Sequence, residues 1–236
     1  LKKILNKIKY RGPDETGIDL IKFNNGSFMI GHKRLAIIDT TSAGRQPMST
    51  NDGRYSILYN GEVYNYLELK NDLQSKGIQF HTNTDTEVLL NLWVQYKESC
   101  LQKIIGMFAF AIIDRTEQSC TLARDAFGIK PLFYHFSQRY FGFASQSDAL
   151  SKLLPEKPKV NSITAWKYLQ FGIVDAGEES FYHEIKHLLP GSLLKINFND
   201  PLTCHKACWW NPGIEQSSDL SYEDASKKIR DIFLEN

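Results

Sequence analysis

Apolar residues recur along the chain with two different periods, which predict a protein of mixed helices and strands. In "LKKILNKIKY" the residues Ile4, Leu5 and Ile8 fall on one helical face, so a helix is predicted there, ending before the turn cluster "RGPD". Helical spacing returns in "LELKNDLQSKG" and "TDTEVLLNLWVQYKES", where Thr84 is a predicted N-cap and Glu87 its capping-box partner. Two further helices are predicted, in "VNSITAWKYLQFGIV" and "SYEDASKKIRDIFLEN".

Runs of alternating or β-branched residues predict strands in "SFMIGHKRLAIID", "YSILYNGEVYN" and "PGSLLKINFN". Four short runs separated by turn residues, "GMFAFAIID", "SCTLARDAF", "PLFYHF" and "YFGFASQ", predict one antiparallel meander. Phe108, Phe110, Phe133 and Phe136 are expected to fill the core between two packed sheets. Strands flanked by layers of helices make an α+β sandwich the predicted fold class.

The C-terminal part of the chain is predicted to contain a domain boundary. Asn211-Pro212-Gly213 interrupts any regular element and is typical of a linker. Residues 1–213 are therefore assigned to one domain, and residues 214–236 to a linker and the first helix of a following domain. The residues of that helix that are expected to face inward are Ala225, Ile229, Ile232 and Phe233.

Composition argues against two classes of partner. Among 236 residues, 28 are Lys or Arg and 27 are Asp or Glu, which leaves a net charge of +1. There is no long basic run and no apolar run of membrane-spanning length, so neither a nucleic-acid nor a membrane partner is expected. Four cysteines in a chain this long do not make a disulfide framework, which indicates a reducing compartment and predicts a cytoplasmic location. The chain begins without Met and stops within a helical pattern, so we expect a piece of a longer protein.

The stretch "YNGEVYNY" leaves two alternatives open. Asn60-Gly61 after an apolar run is a strong signal for a tight hairpin turn. A turn does not explain why Glu62 follows directly or why tyrosines crowd around it. A segment that aims its backbone and its amide at a ligand would explain both.

Four segments taken in order resemble one family. They are "RGPDETG", "GHKRLAIIDTTSAGRQPM", "YNGEVYNYLELK" with "TDTEVLL", and "GMFAFAIID" with "LARDAFGIKPLFY" and "FASQ". Together they resemble the glutaminase domain of glutamine-dependent asparagine synthetases. The resemblance implies the class II glutamine amidotransferase fold, an N-terminal-nucleophile hydrolase built as an αββα four-layer sandwich of antiparallel sheets, here without its first strand.

The same resemblance implies an activity and its partners. The domain would hydrolyse L-glutamine to glutamate and ammonia, and a C-terminal domain would use the ammonia to amidate aspartate to asparagine. No cofactor is expected in the present residues, because ATP and Mg²⁺ belong to that absent domain, whose "SGGxDS" phosphate loop does not occur here. The resemblance leaves a homodimer open.

Each part of a bound glutamine needs a particular kind of residue. A carboxylate is best held by the planar fork of an arginine, and the family position for it is Arg34. A tetrahedral oxyanion needs fixed donors, and the matching positions are Asn60 and Gly61. Acceptors for the α-ammonium are expected from Glu62 and Asp85. The backbone expected to line the site is that of Leu35, Ala36, Ile37 and Ile38.

The family nucleophile is a cysteine at the mature N-terminus, whose own α-amino group acts as the base. No internal cysteine can replace it, because none has a free α-amino group. Cys204, His205 and Cys208 form too small a cluster to predict a zinc site, so no metal is expected. Trp209 and Trp210 are expected to pack at a domain seam.

The chain departs from the family pattern at three positions, which are expected near the interface with the synthetase half. Ala126 stands where Arg is usual, Gln146 replaces an acid and Asp148 replaces a base. Two other functions remain open. One is a β-lactam-synthetase-like or lasso-cyclase-like enzyme whose related domain has lost the nucleophile, and the other is a non-catalytic glutamine-binding module.

Overall fold

The computed structural model describes residues 1–24, 26–174, 177–199, 202–213 and 220–235. The α-helices are α1 (Lys2–Lys7), α2 (Tyr66–Ser75), α3 (Asp85–Tyr96), α4 (Ser147–Ser151), α5 (Ser162–Phe171) and α6 (Tyr222–Glu235). Short 3-10 helices span Lys9–Arg11, Ser42–Gly44 and Lys97–Lys103. The strands are β1 (Glu15–Phe23), β2 (Gly26–Arg34), β3 (Met48–Ser49), β4 (Tyr55–Val63), β5 (Gly106–Asp114), β6 (Ser119–Arg124), β7 (Phe133–Phe136), β8 (Phe141–Ala144), β9 (Lys186–His187), β10 (Ser192–Asn197) and β11 (Thr203–Cys208).

These elements stack in four layers around a central six-stranded antiparallel sheet of order β11-β10-β6-β5-β4-β3. One face of this sheet buries Leu73 of α2 and Leu89 of α3. Its other face packs on the β1-β2 hairpin and on a three-stranded sheet of order β8-β7-β9, with Ile30 and Tyr134 in the core between them. Helix α1 lies against β2, and α4 lies against β7 and β8. The predicted αββα arrangement of antiparallel sheets is confirmed.

Helix α3 begins where its N-cap was predicted, but its capping box was predicted wrongly. The Thr84 side chain accepts the N–H of Glu87 at 3.3 Å. The Glu87 carboxylate does not return this bond to residue 84. It accepts the N–H groups of His81 at 2.8 Å and Thr82 at 2.7 Å, because the preceding loop folds back over the helix start. This loop and helix α3 together form one wall of the cavity described below.

Two strand predictions at the N-terminal hairpin were incomplete or wrong. Strand β1 was not predicted, although it pairs with β2 over its whole length. The strand predicted to continue to Asp39 ends at Arg34 instead. The chain bends there because the Ala36 N–H is taken by the Asp14 carboxylate at 2.8 Å and the Arg34 guanidinium binds main-chain carbonyls ahead of it in the loop.

The predicted single meander is in fact two hairpins in two sheets. Strands β5 and β6 pair in the central sheet, whereas β7 pairs with β8 and β9. The chain crosses between the sheets at Asp125, whose side chain accepts the N–H groups of Phe108 at 3.2 Å, Ile129 at 2.9 Å and Lys130 at 3.0 Å. A buried carboxylate with several backbone donors is a local organising centre, and a pattern of short runs does not reveal it.

The aromatic core residues are divided differently from the prediction. Phe108 and Phe110 lie on the helical side of the central sheet, where Phe110 meets Trp93 edge to face. Only Phe136 of the predicted set packs against the core between the sheets. Phe133 lies against the His187 ring at a centroid distance of 4.3 Å. A period of two predicts which residues share a face and does not predict which layer covers that face.

The C-terminal region corrects a further expectation. Residues 211–213 are irregular as predicted. The predicted linker begins at residue 214, and residues 214–219 lie outside the described residues. Helix α6 forms, but the burial expected on its apolar face is wrong, since Ile229 and Phe233 are 69% and 79% exposed. Ile232 is exposed as well, and Ala225 only partly buried. Amphipathic spacing predicts which face is apolar and leaves open what covers it. The division into residues 1–213 and 214–236 stays a prediction.

Candidate active site

A cavity of about 170 Å³ opens between the end of β2, the second half of β4 and the start of α3. The structure brings together almost all of the residues that the sequence predicted for a glutamine site. Those that line the cavity are Arg34, Leu35, Ile37, Ile38, Asn60, Gly61, Glu62 and Asp85. Ala36 does not line it, and its N–H donates to the Asp14 carboxylate instead.

Arg34 is the last residue of β2 and its guanidinium is buried at the cavity wall. Its Nη1 donates to the Glu15 carboxylate at 2.8 Å and to the Thr41 carbonyl at 2.7 Å, and its Nη2 donates to the Asp39 carbonyl. These acceptors hold the fork in one orientation. A carboxylate that enters the cavity therefore meets a guanidinium whose position is already set, and it would share that guanidinium with Glu15.

Asp85 is the first residue of α3 and also lines the cavity. Its Oδ2 accepts the Tyr59 hydroxyl at 2.8 Å and the Val63 N–H at 3.1 Å. Burial raises the pKa of this carboxyl, while the two hydrogen bonds favour its ionised form. Its position at the N-terminus of a buried helix adds further support for a negative charge. The cavity is thus lined by both a guanidinium and carboxylates, which suits a ligand carrying both an α-carboxylate and an α-ammonium.

Asn60 and Gly61 lie inside β4, so the alternative of a hairpin turn is wrong. Asn60 is paired with Ala109 and Gly61 with Phe108 across the sheet. The Asn60 Nδ2 atom is buried and has no hydrogen-bond partner among the described residues. A buried amide donor without an acceptor is costly, which makes it a suitable donor for an oxygen that becomes negative during hydrolysis.

Gly61 was expected to supply a fixed donor for the oxyanion, and the structure shows a separate need for glycine at this position. A Cβ at this position would lie 2.2 Å from the Met107 carbonyl oxygen and 2.7 Å from the Phe108 Cα. It would also lie 2.9 Å from the Tyr59 ring. Glycine at this position therefore allows β4 to pack closely on β5, beside the cavity-lining Asn60.

The sequence analysis missed His32, which lines the same cavity two residues before Arg34. Its Nε2 lies 3.1 Å from the Tyr59 carbonyl oxygen, and its Nδ1 is buried without a partner among the described residues. Burial lowers the pKa of His32 to about 4, so the ring is neutral at pH 7 and donates from Nε2. The signal was present, because residues i and i+2 of a strand share a face.

A second, longer depression runs between strands β2 and β8 and meets the cavity. Two adjoining hollows of about 380 Å³ and 140 Å³ lie along it, and both are lined by Gly31 and Phe143. Among the described strands, β2 pairs only with β1 and β8 only with β7, so each turns an unpaired edge to this groove. His32 and Asn60 line both the groove and the cavity.

The positions that depart from the family pattern lie outside the cavity. Gln146 lines the groove and its Nε2 donates to the Tyr10 hydroxyl at 2.7 Å. Asp148 in α4 forms an exposed ion pair with Lys152, the residue that follows this helix. Ala126 lies partly buried in the loop that Asp125 organises. The expected relation of these residues to a synthetase half stays a prediction.

The remaining sequence candidates do not contribute to the cavity. Cys204, His205 and Cys208 belong to β11, and the described residues contain no group of three or more His, Cys, Asp or Glu that could hold a metal ion. Trp209 stacks on Phe108 at 5.9 Å, inside the helical-side core of this domain. Within the described part of the chain, none of the helices is both long and apolar enough to cross a membrane.

Residues 1–210 match a family model described as a glutamine amidotransferase domain. The chain belongs to the glutamine amidotransferase domain family. The resemblance seen in the sequence motifs is thereby confirmed, and the family assignment makes glutamine the substrate that this domain type implies.

The chain is also similar in sequence to individual curated proteins. The protein named asparagine synthetase (glutamine-hydrolyzing) 1 of Bacillus subtilis (strain 168) is 36% identical over 203 residues, which are 86% of this chain and 31% of that protein. Asparagine synthetase (glutamine-hydrolyzing) 3 of the same organism is 32% identical over 233 residues, covering 98% of this chain and 36% of the relative. The chain spans about a third of the length of these curated relatives.

A solved structure supports the fold of the amidotransferase domain. Glutamine phosphoribosylpyrophosphate amidotransferase from B. subtilis superposes with a TM-score of 0.63 at 21% identity, over 89% of this chain and 46% of that chain. At this identity the likeness speaks for the fold alone. It agrees with the four layers described above.

Proposed function

We propose that this chain is the glutaminase part of a glutamine-hydrolysing asparagine synthetase. In the parent protein, ammonia released from glutamine would amidate aspartate, with ATP and Mg²⁺ acting in a part that these residues do not include. The relatives named above carry this activity in their names, which supports the acceptor assignment. A cytoplasmic location and a homodimer stay predictions.

One observation carries the glutaminase proposal, namely that Arg34, Asp85 and the Asn60-Gly61 segment line the same cavity. Arg34 would hold the α-carboxylate, while Asp85 and Glu62 would accept the α-ammonium. The side-chain amide then points toward Asn60, whose buried Nδ2 and the neighbouring Gly61 N–H would stabilise the oxyanion. The chain keeps a donor (Asn60), a cation (Arg34) and a carboxylate (Asp85) at this cavity. Their presence favours a working glutaminase over a domain that has lost its activity.

The nucleophile would come from a segment that precedes Leu1 in the parent protein. We propose that this segment is a strand that fills the groove between β2 and β8, with a mature N-terminal cysteine at the end near Asn60 and His32. Two unpaired strand edges facing one groove are suited to accept a strand between them. A thiolate is an effective nucleophile at neutral pH, and the α-amino group of the same residue would act as its base.

The role of Arg34 is tested by replacing it in the parent protein. Arg34→Ala should raise KM for glutamine about tenfold or more, because a charge-assisted contact to the α-carboxylate is lost, while ammonia-dependent asparagine synthesis stays unchanged. Arg54→Ala is the matched control, since Arg54 is paired with Asp114 outside the cavity. An equal loss of glutamine-dependent and ammonia-dependent synthesis would refute the assignment.

The nucleophile is tested by sequencing the N-terminus of the mature protein from its source. A cysteine one short strand before Leu1 is the expected result. Any other residue there would make the cavity a binding site without hydrolysis, as in the alternatives with a lost nucleophile.

A further inference from the structure

Tyr59 connects two parts of the cavity that the proposed function treats separately. Its side chain is 4% exposed and its hydroxyl donates to Asp85 Oδ2 at 2.8 Å. A second donor to this oxygen is the Val63 N–H at 3.1 Å, which also belongs to β4. The strand that carries Asn60 and Gly61 therefore also holds the carboxylate of α3.

The position of the hydroxyl is itself fixed from several sides. The Tyr59 N–H donates to Gln46 Oε1 at 2.6 Å, and its carbonyl oxygen lies 3.1 Å from His32 Nε2. Its ring packs so closely on Gly61 that a Cβ there would lie 2.9 Å from it. A phenol with so little freedom can hold a carboxylate in one rotamer.

We propose that Tyr59 is a positioning residue that orients the Asp85 carboxylate for the α-ammonium of the substrate and so ties ammonium recognition to the oxyanion segment of β4. The inference rests on the proposed glutaminase function. It assigns the tyrosine an effect on substrates that carry an α-ammonium and none on substrates that lack one. Tyr59 acts through Asp85 and does not touch the reacting amide.

The hydroxyl also bears on the protonation of Asp85. Burial raises the pKa of this carboxyl, and the Tyr59 hydrogen bond opposes that rise because it stabilises the ionised form. Removing the hydroxyl should raise the pKa further, so that Asp85 becomes neutral at a higher pH. The other titratable or charged groups that line the cavity are Arg11, His32, Lys33, Arg34, Asp39, Glu62 and Lys130. They are unchanged by the substitution.

The test is Tyr59→Phe in the full parent protein, since phenylalanine keeps the ring and removes only the hydroxyl. KM for glutamine should rise about tenfold with little change in kcat, which corresponds to one lost hydrogen bond to a charged group. The acidic limb of the KM profile should move to higher pH. Glutaramate is glutamine without its α-amino group. The wild type and Tyr59→Phe should hydrolyse it with the same KM and kcat.

Two control variants separate this role from a structural one. Tyr55→Phe removes the hydroxyl of the other buried tyrosine of β4, which contacts Lys97 outside the cavity, and should leave KM unchanged. In an Asp85→Asn background, Tyr59→Phe should have no further effect on KM, even if the tyrosine variant alone is less stable.

The outcomes distinguish the two proposals. If the wild-type protein does not hydrolyse glutamine, the proposed function fails and this inference fails with it. If glutamine is hydrolysed but Tyr59→Phe lowers the rates for glutamine and glutaramate equally, or leaves the pH profile in place, only the role of Tyr59 is overturned.

Discussion

The Arg34 guanidinium occupies the space that a side chain on Gly44 would need. A Cβ at residue 44 would lie 2.1 Å from Arg34 Nη2 and 2.7 Å from Thr84 Cγ2. Residue 44 ends a 3-10 turn whose preceding loop supplies the Thr41 and Asp39 carbonyls to the same guanidinium. The loop therefore both holds Arg34 and leaves room for it.

Gly44→Ala should weaken glutamine binding without abolishing the fold. The added methyl forces the Arg34 guanidinium away from its carbonyl partners, so the fork is misplaced at the cavity wall. We expect KM for glutamine to rise about tenfold, measured beside ammonia-dependent synthesis as an internal control. An unchanged KM would mean that the orientation of Arg34 does not matter for binding.

Gly61→Ala should act on stability, because its crowded neighbours are backbone atoms of β5. Strand β5 is paired on both sides and cannot shift without breaking ladder hydrogen bonds. The free energy of unfolding should fall by about 3 kcal/mol, as expected for an overpacked core site. Urea denaturation measures it, and Gly213→Ala is the control, since nothing lies within 4 Å of a Cβ there. Equal stability of the two variants would contradict the packing argument.

His32 should titrate near pH 4 in the folded protein, which an NMR titration of its ring would show. Because the pKa of an unfolded histidine is about 6.5, the unfolded chain binds more protons between pH 6.5 and 4. The free energy of unfolding should therefore fall as the pH is lowered through this window, by about 2–3 kcal/mol at pH 4.5.

The matched variant for this prediction is His32→Gln, whose side-chain amide can still donate to the Tyr59 carbonyl. The difference in unfolding free energy between pH 7 and pH 4.5 should be smaller in this variant than in the wild type. All other groups titrate alike in both proteins. An identical pH dependence would show that His32 is not buried in its neutral form.

Asp125 should be among the most sensitive polar residues of the fold. It is 1% exposed, and its carboxylate accepts the Phe127 N–H at 3.1 Å as well as the three described above. Asp125→Ala leaves these donors unpaired and should lower the free energy of unfolding by about 3 kcal/mol or more. It should also raise KM, since Lys130 of the same loop lines the cavity. Asp148→Ala, at an exposed ion pair, should cause no measurable loss of stability and serves as the control.

Local patterns were sufficient where a single segment carries the information. Helix α3 with its Thr84 cap, helix α5 and strands β4 and β10 were predicted because capping residues, periodicity and turn residues are encoded within a few positions. The order of the motifs was sufficient for the family, which the match over residues 1–210 confirmed. The roles of Arg34, Asn60 and Asp85 stay predictions, although the structure places them around one cavity.

Other features depended on contacts between distant segments. Tyr59 meets Asp85 across 26 positions, and the Arg34 fork is aimed by a turn that ends at Gly44. The sequence also does not distinguish the tyrosines near Asn60-Gly61 by their burial. In the structure Tyr59 is buried, whereas Tyr64 is exposed.

The sequence by itself determined the secondary structure of most segments, the αββα fold through its motifs and the residue types available for a glutamine site. Tertiary structure alone decided that β1 pairs with β2, that β6 and β7 enter different sheets, that Phe108 faces helices, and that the Tyr59 hydroxyl meets Asp85. The physical reason is that propensity and periodicity are set by neighbouring residues. The layer that covers a face, and the partner of each buried polar atom, are set by chain segments far away in sequence.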